Sequence, residues 1–398
     1  MAVLVAIVTS PVVSSVLSPF NSHVASADVV THRSKNFVVH TDLDPDTTKP
    51  LIDRLERMLS IVSSYWRRPN RHLIECCVVK DLKAWPPGRL PPLAVTKVKQ
   101  GSGVTISLRR MRGTVFFTKS VVYAAANTGA AQHEAVHAYC FQMFGSSGPV
   151  WYSEGMAEMG RYWKDANDRS VRADPGAIRF LRSSTPPPVK TLTRTGQTSD
   201  GWQHYAQRWA LCHLLANNPN YGQRFRTLGF SLLGRRPGTS YQSVLGTMNR
   251  EIEFEYELFL RTLEPGYRVD LCAWDWKSRF RRPRPGKPVT VTVEAARGWQ
   301  ASRVSVQAGR SYQVTTKGTW QTGPKAPAVN ADGDRQGLGQ LKGTIWSKYQ
   351  LTREANLGTE STIKPAADGK LFFRCGDRWG RLSDNSGRIT VTVTVLAD

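Results

Sequence analysis

The chain has 398 residues, 40% of them hydrophobic, and its 54 lysines and arginines against 31 acidic residues give a formal charge of +23. That length is enough for two domains with separate cores, and that composition excludes a disordered chain. From Gly286 onward 16 basic and 9 acidic residues leave +7, so +16 belongs to the earlier part and there is no single basic tail; a general affinity for polyanions follows, and without a nucleic-acid-binding module no specific nucleic acid is expected.

The first residues are apolar from Val3 to Leu17, and Ala25-Ser26-Ala27 precede Asp28. An apolar run ending in a small-x-small site reads as a signal peptide over 1–27, though without a charged n-region, and predicts a secreted or extracytoplasmic chain. No later run is long and apolar enough to span a bilayer, so the mature chain is expected to lack a transmembrane segment. The six cysteines, Cys76, Cys77, Cys140, Cys212, Cys272 and Cys375, are few for this length. They allow fifteen full pairings, and the sequence selects none.

Asn36–Thr41 and Leu73–Val79 read as strands, separated by a helix over Lys49–Trp66 with Ile52, Leu55, Leu59 and Val62 at helical spacing. A Pro-rich loop (Lys83–Leu93) and strand candidates at Val104–Leu108 and Thr114–Phe117 follow. The pattern predicts an α+β unit with a small sheet ahead of a helix that starts near Asn127 or Thr128 and ends near Gly145. A second helix is expected from Ser153, as its cap, to Trp163, followed by a polar, Pro-rich loop over Asp165–Asp200. Helices over Trp202–Leu215, Tyr221–Leu233 and Glu251–Leu263 complete this half, and Ser278–Lys287 reads as a basic, Pro-rich linker.

The first of the two central helices carries His133-Glu134-Ala135-Val136-His137. Two histidines four apart share one helix face, so both imidazoles can reach one Zn2+, and the glutamate between them stands beside the metal's water. Glu154 follows seventeen residues after His137, within Trp151-Tyr152-Ser153-Glu154-Gly155-Met156-Ala157-Glu158. It supplies the third ligand and leaves a fourth position open; Glu134 is placed to take the water's proton, and Glu158, one turn on, to accept the free N–H of a ligating histidine. Cys140 shares this helix and reads as a buried small residue.

These residues resemble the gluzincin, peptidase-MA-like zinc metallopeptidases, with HExxH followed by W-x-x-E-G-x-A-E. The resemblance implies a zincin-like α+β domain over 28–277, zinc on His133, His137 and Glu154, and a catalytic Glu134. It also implies a residue opposite the metal that stabilises the oxyanion, for which Tyr205 and His204 are the candidates; Tyr205 also shares a face with Trp209 and Cys212 as a core residue would. His213 reads as a packed or surface histidine, while His40 sits on a strand-like run and His72 just before one.

After the linker, 278–288, the texture changes. Val289–Val293, Val304–Val306, Tyr312–Val314, Lys370–Phe373 and Ile389–Val395 are strand-like and separated by Gly, Asn and Asp turns, which predicts an all-β sandwich over 289–398. Asp377-Arg378-Trp379-Gly380-Arg381-Leu382-Ser383-Asp384-Asn385 resembles the calcium loop of galactophilic bacterial lectins, a galactose-binding-like sandwich. That resemblance implies Ca2+ on the side chains of Asp377, Asp384 and Asn385 with the carbonyls of Arg381 and Thr322, and a glycan as partner. The family's sugar-contacting His and Gln have no match within Asp332–Gln336. The expectation is a secreted zinc metallopeptidase acting on a protein or peptide, with an accessory calcium- and glycan-binding sandwich. The alternative is a non-catalytic glycan- or matrix-binding protein with a degenerate peptidase domain, against which the intact Glu134 speaks.

Overall fold

The computed structural model describes residues 28–112, 115–127, 129–163, 169–194 and 201–396. The expected signal segment 1–27 and the cap candidate Thr128 lie outside the described residues. In chain order the helices are α1 (Pro45–Tyr65), α2 (Pro92–Lys99), α3 (Ala130–Phe144), α4 (Val150–Tyr162), α5 (Pro175–Ser183), α6 (Val189–Leu192), α7 (Trp202–Asn217), α8 (Gly222–Leu233), α9 (Tyr241–Leu245), α10 (Asn249–Thr262) and α11 (Val269–Cys272). The strands are β1 (Val30–Arg33), β2 (Phe37–Thr41), β3 (Ile74–Val79), β4 (Gly103–Arg112), β5 (Val115–Ala125), β6 (Val289–Glu294), β7 (Gln300–Val306), β8 (Tyr312–Gln321), β9 (Gln340–Ser347), β10 (Gln350–Leu351), β11 (Ala355–Asn356), β12 (Glu360–Ile363), β13 (Gly369–Gly376) and β14 (Ser386–Val395). Contacts divide the chain into two units that interleave in sequence. One holds the described residues of Met1–Asp168, Lys190–His213 and Arg224–Leu245, and the other those of Arg169–Val189, Leu214–Gln223 and Gly246–Asp398.

The first unit is built on a mixed sheet of order β1-β2-β3-β5-β4. Its middle strands β2, β3 and β5 are parallel, and β1 and β4 run antiparallel at the two edges. Parallel neighbours need a crossover, and α1 supplies the one between β2 and β3. Asp44 caps α1 by accepting from the Thr47 N–H at 2.8 Å, and Pro45 follows where its missing donor costs nothing. Helix α3 packs on β4, β5, α1 and α4. Most of its residues are buried, which is why AAQHEAVHAYCFQMF has no polar stripe. It starts after Gly129 (φ 102°) rather than at a side-chain cap, and ends at Gly145 (φ 73°). Asn127 instead donates from Nδ2 to the carbonyl of Gly101.

In the second unit two antiparallel sheets face each other, one of order β12-β8-β14-β6 and one of order β10-β9-β13-β7 with β11 on β9. Alternation sets the register. In β14 Ile389, Val391, Val393 and Val395 enter the core with Trp320, Phe373 and Tyr312, while Thr390 and Thr392 face away. The stretch 278–288, expected as a linker, is pinned to this unit. Phe280 joins an aromatic cluster with Trp274, Trp299 and Phe372, Arg281 N–H donates to Arg303 O, and Ser305 N–H donates to Arg281 O, both at 2.9 Å. Phe254 and Leu258 of α10 belong to that same cluster, so the contact units do not follow the expected cut at 277/278. The sequence hid this because a Pro- and Arg-rich stretch carries one aromatic anchor and makes its bonds through the backbone.

Glu255 on α10 fixes this region. Its buried carboxylate accepts from Asn218 Nδ2 (2.6 Å), Asn220 Nδ2 (3.2 Å), Tyr221 OH (2.6 Å), Trp276 Nε1 (2.7 Å) and the Trp274 N–H (3.0 Å). Burial pushes the Glu255 carboxyl up, and these donors oppose that. Glu255→Ala leaves the donors without an acceptor and is expected to cost about 3 kcal/mol or more, read as a lower denaturation midpoint.

Candidate metal centre and active site

Helices α3 and α4 lie close enough that Gly160 touches Val136, where a Cβ would collide. The approach brings Glu154 to both histidines. Glu154 Oε2 lies 3.2 Å from His133 Nε2 and 3.5 Å from His137 Nε2, and the two Nε2 atoms are 3.2 Å apart. All three residues are buried, and among the described residues they form the only group of three or more His, Cys, Asp or Glu side chains able to hold a metal ion. Ligands at about 2.0–2.1 Å around a tetrahedral ion stand about 3.3–3.4 Å from one another, so the three atoms mark one face of such a site. The chemistry of the set fits as well. His133 Nδ1 meets Glu158 Oε1 at 2.9 Å and His137 Nδ1 meets Ser153 Oγ at 3.1 Å, which turns both Nε2 atoms toward the Glu154 oxygen.

The three side chains also interact strongly through charge. Burial opposes a charged His133, yet its hydrogen bonds to Glu154 and Glu158 outweigh this and lift it to about 10. Glu154 is likewise opposed by burial and is held far below the usual carboxylate range by His137 and His133. Glu158 also lies 3.6 Å from Arg161 Nη1. Glu158→Gln keeps the shape but removes the charged acceptor of His133. Metal affinity is expected to fall about 10- to 100-fold, measured by competition against a chromogenic chelator.

Glu134 is buried beside this group, and its carboxyl is raised, by burial first, against the pull of His133 and His137. Thr105 Oγ1 on β4 lies 3.0 Å from Glu134 Oε2 and 2.8 Å from its carbonyl oxygen. Gly103 makes room, since a Cβ there would stand 2.7 Å from Glu134 Cγ and 2.8 Å from Tyr123 O. Ser153, expected as a cap, sits inside α4, which begins at Val150 after Pro149. Thr105, Gly103 and the role of Ser153 had no motif; only the isolated glycine at the head of a strand hinted at a close approach.

Helix α7 crosses α4 at Gly155, where a Cβ would meet Cys212 Sγ and come within 2.8 Å of Arg208 O. The glycine after Glu154 therefore lets α7 close over the site. Tyr205 stands nearly perpendicular to His133, ring centroids 6.1 Å apart at 80°. His204 is the adjacent residue, and its Nδ1 is buried without a hydrogen-bond partner among the described residues. Cys140 is a buried free thiol, as are the other five cysteines. His40 bonds Thr31 Oγ1 at 2.8 Å, the His72 carbonyl accepts from Asn70, and His213 packs on Trp209 at 5.3 Å.

In the second unit β13 ends before Asp377, and a 3-10 turn over Trp379–Asp384 leads to Asn385. The β8–β14 ladder ends at the pair Ser386 and Gln321, so Asn385 and Thr322 flank its last rung. Burial, and then the charge of Asp384, raise the Asp377 carboxyl. Among the described residues Asp377 Oδ2 and Asn385 Oδ1 are buried without a close donor, while the Asn385 side chain lies near enough to pull the Asp377 carboxyl back down. Two orphaned oxygens beside a second carboxylate suit a hard cation.

No family model matches the chain, and no curated protein matches it. Among solved structures, 27% of it is similar to 95% of a lectin domain described as the EclA N-terminal domain, a PllA-like lectin, at 16% identity and TM-score 0.21. A further 61% match is to the IMPa metallopeptidase in complex with T-antigen, at 13% identity and TM-score 0.19, and an equal share matches the IMPa metallopeptidase from Pseudomonas aeruginosa, at 12% and 0.18. The chain spans only 29% of those metallopeptidases. Likeness this low leaves function to the site itself.

Proposed function

We propose that the protein is a secreted zinc metallopeptidase whose sandwich binds Ca2+ and glycan. The observation that carries the first part is the convergence of His133 Nε2, His137 Nε2 and Glu154 Oε2 at 3.2–3.5 Å with a buried carboxylate, Glu134, alongside. Zn2+ held there supplies Lewis acidity, polarising a carbonyl oxygen and making water acidic enough to ionise near neutral pH. Glu158 and Ser153 keep the imidazoles turned inward. Glu134, steadied by Thr105, accepts a proton from the attacking water at its carboxylate and returns it to the leaving amine. Tyr205 is the candidate donor to the developing oxyanion. A peptide is favoured as substrate because β4, whose Gly103 and Thr105 touch Glu134, is an edge strand that can receive an extended chain.

The test is metal analysis of the purified protein joined to cleavage of a peptide library with and without chelator. One zinc per chain and chelator-sensitive cleavage are expected; cleavage that ignores the chelator refutes the reading. For the sandwich, glycan-array binding is expected to require Ca2+ and to be lost in Asp377→Ala.

A further inference from the structure

Arg208 is 2% exposed, and among the described residues neither Nη1 nor Nη2 has a hydrogen-bond partner. A guanidinium never sheds its charge in a protein, and an uncompensated buried charge costs several kcal/mol, so this side chain lacks a partner. The acids of the metal centre are committed elsewhere: Glu134 to Thr105, Glu154 to the two histidines, and Glu158 to His133 and Arg161. Cys212, one turn on, is no counter-ion, because burial pushes its thiol up and keeps it neutral.

The position of Arg208 gives the missing partner a place. His204 and Arg208 are four apart on α7 and share a face. Among the described residues His204 Nδ1 is likewise buried without a partner, near Gly201 at the head of the helix. Tyr205 lies between them in sequence. The Arg208 Cζ is 5.9 Å from its ring, and that ring is 6.1 Å from His133, which puts the guanidinium no more than about 12 Å from the metal-binding imidazole. An extended chain covers that span in about four residues.

We propose that Arg208, with His204, forms an anion subsite that takes a carboxylate of the substrate within about four residues of the bond cleaved. This rests on the peptidase reading of the metal centre. A carboxylate matches the two Nη donors as a fork and supplies the charge that the site lacks. The chain's +23 draws acidic substrates toward it from a distance, and Arg208 reads the group on arrival. The carboxylate belongs either to the substrate's own C-terminus or to an acidic side chain.

The experiment compares kcat/KM for matched peptides: free C-terminal acid against amide, and Glu against Gln placed one to four residues from the scissile bond. The wild type is expected to favour the acidic member of one pair by about 10- to 100-fold, the range of a charge-assisted hydrogen bond, and the pair that responds identifies the source. The preference is expected to survive 0.5 M NaCl, which screens surface charge but not a buried one. Arg208→Met is expected to erase it, and Arg208→Lys to keep part. Equal rates on both members, a preference lost in salt, or one that persists in Arg208→Met overturns the subsite. The wild-type comparison needs no variant to fold. If no peptide is cleaved in a chelator-sensitive way, the peptidase reading fails first; calorimetric binding of the same acidic and neutral peptides then decides the subsite, tighter binding of the acidic member supporting it and equal binding rejecting it.

Discussion

Glu134→Gln is expected to bind zinc as the wild type does and to lose about 10²- to 10⁴-fold in kcat/KM. Glutamine keeps the length and planarity of glutamate and can still accept from Thr105 Oγ1, so the contact between α3 and β4 survives. It removes the one property that the reaction uses, a carboxylate able to hold a proton and release it. The proposed metal ligands are other side chains, His133, His137 and Glu154, and keep their mutual geometry. Metal content and turnover must therefore separate in this variant. A variant with a full complement of zinc and undiminished cleavage would remove Glu134 from the chemistry. A variant without zinc would show that Glu134 belongs to the ligand set.

Stripping the metal is expected to lower the melting temperature by about 10 °C. The centre holds two imidazoles and a carboxylate with their acceptor atoms within 3.5 Å of one another, away from water. A cation bound to this folded arrangement has no equivalent site in the unfolded chain. At a thousandfold excess over Kd it adds about 4 kcal/mol, and each kcal/mol moves the midpoint about 2–4 °C in a domain of this size. Glu154→Ala removes one of three ligands and is expected to melt near the chelated wild type, with zinc restoring little. A melting temperature indifferent to chelator, in wild type and variant alike, is incompatible with a metal centre at these residues.

How far the primary structure could be read depended on the range of each contact. The β14 strand was plain because Val and Thr alternate at the period of the pleat. Strand β9 was not, since Gln340–Ser347 buries Gly343 and Thr344 side by side and breaks the alternation. A cap at Ser153 lies four residues past the actual cap, Pro149, because Ser153 has the chemistry of a cap but its hydroxyl serves His137. The stretch 278–288 was read as a spacer from its prolines and arginines, whereas Phe280 and the Arg281 backbone bind it to the sandwich.

The amino-acid order alone determined that His133 and His137 share one helix face with Glu134 between them, and that a carboxylate follows on a neighbouring helix. The first relation holds within one element, where 3.6 residues per turn leaves no choice, and the second needs only a short turn between two helices. Tertiary structure decided the rest. Gly160 and Gly155 let backbones approach until Glu154 reaches both imidazoles and α7 lies over them. Thr105 arrives from an edge strand, and Arg208 is left buried with its charge unanswered. Each of these joins residues far apart in the chain, and only the packing of whole elements, which no local pattern encodes, sets such distances.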